Sequence, residues 1–331
     1  MNGLRTILPA WAAAIGMFTA GTLLPEIAVA QTGWRPTKPV EIIVSTGAGG
    51  IADQNARTIQ KIMQDEKLLP VPAVVVNKAG GNQILAVNYV KQFPADPHYF
   101  FYANPTIFTN QIAGLSPHLY TDLTPIALLL VDYTVISVRD DSPIKTMKDL
   151  IGKLRADPQS VSFGFPSRGG PNHLATAQAM RSAGIDPNKL KLVLFKTNAE
   201  ANTAMLGGHI QATLSSVAAA SLASNGTRIL AVAAPKRLSE LPNLPTMREQ
   251  GIEATGIPNW RGVFGPKGIT SAQIAFWEEA IAKVAANPEW KKQLSETNVE
   301  PMFLRSAEFG KWLAAEYTNT RAVMTDIGIA K

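Results

Sequence analysis

Short apolar runs alternate with amphipathic stretches from residue 39 onward, which is the pattern of βαβ units and of largely parallel sheets. The runs have the length of strands, and they predict nine of them, at Val40–Val44, Ala73–Val76, His98–Tyr102, Thr134–Val138, Val161–Phe163, Leu190–Phe195, Ile210–Leu214, Ile229–Ala233 and Gly262–Phe264. Helices are expected between them. The pattern therefore predicts an α/β protein.

Two stretches place apolar residues at helical spacing, the first near the start of the pattern and the second near the C-terminus. These residues are Ala52, Ala56, Ile59 and Met63, and then Phe309, Trp312, Leu313 and Tyr317. We interpret both stripes as packing faces of helices, because a stripe of this kind is what a helix buries against a core.

Two glycine-rich turns each follow a predicted strand and open a predicted helix. They are the segments STGAGG at 45–50 and SRGGPN at 167–172. Their similar settings suggest equivalent positions in two lobes. Stretches containing Pro or Gly at 139–145 and 255–262 are candidate places for the chain to cross between the lobes.

The first 30 residues have the features of an export signal. Arg5 precedes an uncharged apolar stretch at 6–24, and the segment closes with Ala28-Val29-Ala30, the small-x-small pattern of a cleavage site. We predict cleavage after Ala30 and a periplasmic protein. A membrane anchor is the alternative, but Pro9 and Pro25 weaken a spanning helix.

The composition excludes several kinds of chemistry and one class of partner. The chain has no cysteine, which excludes disulfides, thiolate chemistry and a lipid-modified N-terminal cysteine. The charged residues behind the net charge of +6 are scattered along the chain without a run of five like charges, so a nucleic-acid partner is not expected.

Catalytic and cofactor motifs are weak. The four histidines, His98, His118, His173 and His209, have no metal-ligand spacing, and no nucleophile motif or phosphate-loop lysine occurs. A loose dinucleotide pattern exists at Gly47, Gly49 and Ala52, but the next strand ends in Asn77-Lys78, where a ribose-binding acid would be needed. We predict no enzyme activity, no metal and no cofactor.

Anion binding explains the two glycine-rich turns better than a dinucleotide site does. A glycine-rich turn at a helix start directs free backbone N–H groups and the positive end of the helix dipole at one point, so it can bind a carboxylate. Nearby hydroxyl, amide and guanidinium groups are further donors. The alternative is simple turn geometry and helix capping. For Asp53, stabilisation of the helix start is likewise the alternative to contact with a hydroxyl or amine of a ligand.

Several longer stretches resemble the substrate-binding proteins of tripartite tricarboxylate transporters, the Bug or TctC-like family. They are WRPTKPVEIIVSTGAGGIADQNAR from Trp34, NKAGG from Asn77, SFGFPSRGGPNHLA from Ser162, AMLGGHIQATLSS from Ala204, RILAVAAPKRLSELPNLPTMREQG from Arg228 and NWRGVFGPKGI from Asn259. The resemblance extends through most of the chain after residue 30.

The resemblance implies a type II periplasmic-binding-protein fold, an α/β fold with two lobes joined by two crossovers around a ligand cleft. Lobe 1 is expected at 31–132 and 255–331, and lobe 2 at 133–254. In the family two strand–helix loops hold the ligand's carboxylate, and they correspond here to Ser45–Asp53 and Phe165–His173. Positions in Tyr102–Thr106 and Ser215-Ser216 would also line the cleft.

The expected ligand-binding residues are Ser45, Thr46, Gly47, Ala48, Gly49, Gly50, Asp53, Asn104, Thr106, Ser167, Arg168, Gly169, Gly170, Asn172, His173, Ser215 and Trp260. Hinge packing is the alternative for Trp260 and for its neighbour Arg261.

The expected function is capture of a small carboxylate, with a di- or tricarboxylate favoured, by a monomeric protein that delivers it to integral-membrane permease subunits. The alternatives are an orphan binding protein that signals to a membrane sensor, and a periplasmic enzyme.

Overall fold

The computed structural model describes residues 33–223, 225–254 and 257–331. The predicted export signal, its cleavage after Ala30 and the lobe boundary at residue 255 lie outside these ranges. The described residues form eleven strands, β1 Val40–Val44, β2 Ala73–Asn77, β3 Tyr99–Ala103, β4 Leu123–Asp132, β5 Thr134–Arg139, β6 Ser162–Phe165, β7 Lys191–Leu194, β8 Ala212–Ser216, β9 Thr227–Val232, β10 Asn259–Pro266 and β11 Glu300–Arg305.

Ten α-helices connect and cover these strands in the described ranges. They are α1 Ile51–Asp65, α2 Ile84–Lys91, α3 Thr106–Ile112, α4 Met147–Ala156, α5 Pro171–Ser182, α6 Asn198–Leu206, α7 Val217–Leu222, α8 Ser271–Ala286, α9 Pro288–Glu296 and α10 Ser306–Asp326. The two predicted packing stripes are confirmed on α1 and α10, where Ala56, Ile59, Phe309 and Leu313 are buried.

The strands form two mixed sheets. The first has the order β11-β4-β10-β3-β1-β2 and the second the order β7-β6-β8-β5-β9. In the first sheet β1 is parallel to β2 and β3, and β10 is antiparallel to β3 and β4. In the second sheet β6 is parallel to β7 and β8, and β5 is antiparallel to β8 and β9. The α/β fold with two sheets agrees with the prediction, and we call the part built on each sheet a lobe.

Alternate residues of one strand show how the first sheet is packed on both faces. Val40, Ile42 and Val44 of β1 enter the core beneath α1, α8 and α9, whereas Ile43 enters the core beneath α2, α3 and α10. Successive side chains of a strand point to opposite faces, so a strand buried on both sides needs an apolar residue at nearly every position. The run VEIIV meets that requirement.

The chain crosses between the sheets at a single residue. β4 ends at Asp132 in the first sheet and β5 begins at Thr134 in the second, with Tyr133 between them. The candidate crossover at 139–145 is therefore wrong, because this stretch lies between β5 and α4, after the chain has already entered the second sheet. The return to the first sheet occurs between β9 and β10.

Candidate functional site

The first glycine loop, residues 45–50, joins β1 to α1. Gly49 has a φ of 81°, a left-handed conformation that strongly favours glycine. The N–H of Gly50 donates to the carbonyl oxygen of Gly47 at 3.3 Å, and Gly50 directly precedes α1 in an extended conformation. Gly47, Ala48 and Gly49 are exposed, and Ser45 and Thr46 are half-buried. The loop is thus a tight turn with an open outer surface.

The second glycine loop, residues 166–170, joins β6 to α5 with the same backbone hydrogen bonds. Gly169 has a φ of 75°, and the N–H of Gly170 donates to the carbonyl oxygen of Ser167 at 3.2 Å. Gly170 directly precedes α5 in an extended conformation, as Gly50 precedes α1. The predicted equivalence of the two turns is confirmed in their local geometry, although their sequences do not repeat.

Asp53 fixes the first loop from within the first turn of α1. Its Oδ2 accepts hydrogen bonds from the Gly49 N–H and from Arg57 Nε, both at 2.9 Å, and its Oδ1 accepts one from Asn77 Nδ2 at 2.9 Å. Burial alone would raise the pKa of Asp53, but the hydrogen bonds from Arg57, Gly49 and Asn77 hold the pKa below its ordinary value. Both oxygens are engaged by the protein, which favours the stabilising role that the sequence left open over contact with a ligand.

His173 occupies the corresponding place behind the second loop. Its Nδ1 accepts a hydrogen bond from the Gly169 N–H at 3.1 Å, four residues back, as Asp53 does from Gly49. The ring is buried and stacks on Phe165. Burial, together with the nearby Arg168 charge, lowers the pKa of His173 to about 4. The imidazole is therefore neutral at pH 7, the form in which Nδ1 can accept.

The two helix starts differ in the number of backbone N–H groups that are free to bind an anion. The N–H groups of Ile51 and Ala52 make no hydrogen bond within the described residues. At the second loop, the first helical residue is Pro171, which has no N–H to offer. The first loop is thus the richer of the two in backbone donors for an anion.

Both loops lie at the carboxyl ends of parallel strands, each strand having a parallel neighbour on either side. Ligands of open α/β sheets bind at such edges, where the connections leave in opposite directions. The neighbouring strand ends bring in polar residues. Asn104 Oδ1 accepts hydrogen bonds from the Thr106 N–H and from Gln83 Nε2.

The corresponding strand end in the second lobe carries Ser215 and Ser216, both buried, and Ser216 caps α7. Asn172 is buried as well, and its Oδ1 accepts a hydrogen bond from Thr134 Oγ1 at 3.0 Å. Ser216 and the Oδ1 of Asn172 therefore serve the local fold of the second lobe.

Asn82 connects the two lobes and was not among the predicted site residues. Ser167 Oγ donates to Asn82 Oδ1 at 3.2 Å, and Asn82 Nδ2 donates to the Arg168 carbonyl oxygen at 3.4 Å. Asn82 has a φ of 48°, and its own carbonyl oxygen accepts a hydrogen bond from Asn110. Its position after Gly80-Gly81 is the local signal for such a turn, but no sequence pattern reveals the contact across the cleft.

Trp260 does not line the surface near the glycine loops. It is 1 % exposed and packs against Phe108, Phe264, Phe309 and Trp312 in the core of the first lobe. Its surroundings thus favour the packing role over the ligand contact expected for it.

A cavity of about 240 Å³ lies between α1, α7 and α9, beside the ends of β4 and β10. We call it the hinge cavity, because Asp132, which precedes the crossover residue Tyr133, is part of its wall. None of the predicted site residues lines it. Its wall is formed by Ile51, Gln54, Asn55, Thr58, Leu130, Asp132, Ala218, Leu222, Arg261, Gln293, Leu294, Glu296, Thr297 and Val299.

The described residues lack two other kinds of site. They contain no group of three or more His, Cys, Asp or Glu side chains placed to hold a metal ion. None of the helices there combines the length and the apolar character needed to cross a bilayer.

Residues 55–329 match the family model described as the tripartite tricarboxylate transporter family receptor. The chain belongs to this family. It is 26 % identical over 306 residues to a UPF0065 protein from Cupriavidus necator, with 92 % of each chain covered.

Solved structures agree with the family assignment. A TctC solute-binding protein from Polaromonas is 26 % identical with a TM-score of 0.68, covering 88 % of this chain and 99 % of its own. R. palustris Rpa4515, solved with adipate, is 26 % identical with a TM-score of 0.79, covering 89 % and 99 %. The periplasmic binding protein BugD has the same fold at 22 % identity and a TM-score of 0.79, covering 89 % and 99 %. This family member is thus a two-lobed solute-binding protein and not an enzyme.

Proposed function

We propose that this receptor binds a small carboxylate, with a di- or tricarboxylate favoured, between its two glycine loops and delivers it to the integral-membrane permease subunits of a tripartite transporter. In this proposal the protein acts as a periplasmic monomer after cleavage behind Ala30, with lobes at 31–132 plus 255–331 and at 133–254. The related R. palustris protein solved with adipate supports a carboxylate ligand.

The matching geometry of the two loops is the observation that carries the proposal. Each loop presents a helix start at the carboxyl end of a parallel strand, and each is fixed from behind by a buried acceptor. Fixed N–H groups at a helix start bind anions without reorganising, so little ordering cost opposes binding. The hydrogen bonds of Asn82 to Ser167 and Arg168 add support, because they hold the second loop against the first lobe.

Side chains around the loops would add donors. In the proposal Ser45 and Thr46 act beside the first loop, and Ser167, Arg168 and Asn172 beside the second. Arg168 is exposed and can supply a charge-assisted hydrogen bond. Thr46 Oγ1 is buried without a partner among the described residues, which leaves its hydroxyl able to donate to a ligand oxygen.

A thermal-shift screen of the exported protein against acetate, succinate, malate, adipate, citrate, glutamate and benzoate tests the carboxylate class. A ligand at about 100 times its Kd stabilises the folded state by about 2.7 kcal/mol, which raises the melting temperature by several degrees. A selective rise for one class of acid supports the proposal. No rise with any acid overturns it.

The variant Ile51→Pro then tests the backbone donors. Proline is favoured at the first helical residue, and the extended Gly50 before it suits a proline, as the Gly170-Pro171 pair shows. The exchange removes one free N–H with little effect on the fold. We expect a weakening of carboxylate binding by about tenfold, because a hydrogen bond to a charged group contributes about 1.5 kcal/mol or more. Ile51→Ala, which keeps the N–H, is the matched control, and equal affinities for both variants would contradict the role of this donor.

A further inference from the structure

Arg261 is a buried cation whose guanidinium is only partly satisfied. It is 9 % exposed. Its Nη1 donates to the Asn259 side chain at 2.6 Å, to the Trp260 carbonyl oxygen at 2.9 Å and to the Asn259 carbonyl oxygen at 3.2 Å. In contrast, Nε is buried without any partner in the described residues, and Nη2 makes no hydrogen bond there.

In the described part of the chain Arg261 has no direct carboxylate partner, although the charge of the buried Asp132 offsets its own in part. Within the described residues it forms no ion pair closer than 4.0 Å. The same cavity wall contains two acids, Asp132 and Glu296. Asp132 Oδ1 accepts the N–H groups of Tyr133 at 2.7 Å and of Val217 at 3.0 Å, and Glu296 pairs with Lys292 at 3.7 Å. A buried donor of a charged group that lacks a hydrogen-bond partner is costly, so the free Nε of Arg261 favours an acceptor from elsewhere.

Other polar groups of the wall already have partners within the protein. Asn55 Nδ2 donates to the hydroxyl of Tyr102 at 3.0 Å, and Asn55 Oδ1 accepts from Gln293 Nε2 at 2.7 Å. Leu130 and Leu294 add apolar surface. The free edge of Arg261 is thus the main unsatisfied donor of the hinge cavity.

The geometry of the guanidinium selects the chemistry of the partner. With Nη1 anchored on β10, the free edge consists of Nε and Nη2, two parallel donors that match the two oxygens of a carboxylate. The cavity of about 240 Å³ has space for several waters or for a small organic acid.

We propose that Arg261 binds a carboxylate group inside the hinge cavity. The group has two possible sources. It is either the distal carboxylate of a ligand held at the first glycine loop, whose following residue Ile51 also lines the cavity, or a separate small organic acid. The first source rests on the proposed function, whereas the second is independent of it.

A single introduced thiol can show whether the hinge cavity is occupied. Because the chain contains no cysteine, this thiol is the only one that reacts. Thr58 is half-buried on α1 in the cavity wall, so Thr58→Cys places the thiol there. Thr203→Cys on α6 is the matched control, since both threonines donate to the carbonyl oxygen four residues back in a helix and Thr203 lies outside the cavity wall. The measurement is the rate of alkylation by N-ethylmaleimide with acetate or adipate present.

At about ten times its Kd a bound acid should slow alkylation of Thr58→Cys about tenfold and leave Thr203→Cys unchanged. Combining Thr58→Cys with Arg261→Gln should abolish the protection, and Arg261→Lys, which keeps the charge without the two-donor edge, should weaken it. Protection by acetate identifies a separate acid, and protection by adipate alone identifies the distal carboxylate.

Two results would overturn the proposal. One is a melting-temperature rise with acid but no change in the alkylation rate. The other is equal protection in the Arg261→Gln protein, which would mean that lobe closure shields the thiol. Failure of the proposed function looks different, because then Ile51→Pro binds acid as tightly as Ile51→Ala, while the Arg261-dependent protection by acetate is still measurable.

Discussion

At the scale of single residues, the two loops are fixed by groups of different chemistry in equivalent places. Asp53 is held ionised by three donors, whereas His173 is held neutral by burial and by the Arg168 charge. The same hydrogen bond, from a left-handed glycine four residues back, ends on a carboxylate oxygen in one loop and on an imidazole nitrogen in the other. Protonation of His173 turns Nδ1 into a donor and so removes the hydrogen bond from Gly169, whereas a protonated Asp53 still has an oxygen that can accept.

His173 should therefore make stability depend on pH in the mildly acidic range. Its folded-state pKa of about 4 lies below the ordinary value of about 6.5, so the unfolded chain binds the proton more readily. The stabilisation is complete above pH 6.5 and decreases as the pH falls toward 4, by up to about 3 kcal/mol. Calorimetric melting at pH 7, 5.5 and 4 measures the slope.

The variant His173→Asn isolates this effect, because an amide oxygen can accept from Gly169 without titrating. We expect its melting temperature to fall less between pH 7 and 4 than that of the unchanged protein. His209→Asn, at an exposed position, is the control. Parallel curves for His173→Asn and the unchanged protein would contradict the assignment.

At the scale of elements, the spacing of apolar residues and the positions of the glycine-rich turns predicted most of the fold. All nine predicted strands are confirmed within a few residues, and both glycine turns open helices. β4 was missed although residues 126–131 form an uninterrupted apolar run; Pro125, near the start of the strand, is accommodated by an irregular register with β10. β11 was missed because it is a half-exposed edge strand that contains Pro301 and lacks alternation. The site residues missed or misplaced, Asn82 and Trp260, depend on long-range contacts that no local pattern encodes.

The contact between β10 and α10 gives a test of Trp260. Trp260→Leu leaves a void beside Phe309, so we expect a loss of roughly 3 kcal/mol in the free energy of unfolding, measured in urea. Carboxylate affinity, measured by calorimetry on the folded variant, should stay within about twofold, which is roughly 0.4 kcal/mol. Phe309→Leu, on the other element of this contact, should behave the same way. A large loss of affinity for Trp260→Leu alone would restore the ligand-contact role.

At the scale of the whole molecule, Asn82 is the side chain that holds the second glycine loop against the first lobe. Asn82→Gly keeps the left-handed backbone and removes both cross-lobe hydrogen bonds. We expect a larger radius of gyration in solution scattering without ligand, and a Kd about fivefold higher, because net hydrogen bonds contribute about 1 kcal/mol.

Ser167→Ala removes one of these two bonds and should give a smaller change in the same direction. An unchanged radius of gyration in Asn82→Gly would mean that other contacts hold the lobes together. Added ligand should reduce the radius of both variants toward that of the unchanged protein, since a ligand bound by both lobes favours the closed form.

The strand order also determines when each lobe can finish folding. The second sheet is built from one continuous stretch, 134–232, and can assemble once that stretch exists. The first sheet is different, because β3 and β4 flank β10, which arrives only after the entire second lobe has been synthesised. Pairing over such sequence distances slows folding. The first lobe therefore cannot complete its sheet until the last third of the chain has been synthesised. Such late folding suits the proposed export, in which the polypeptide crosses a membrane before it folds.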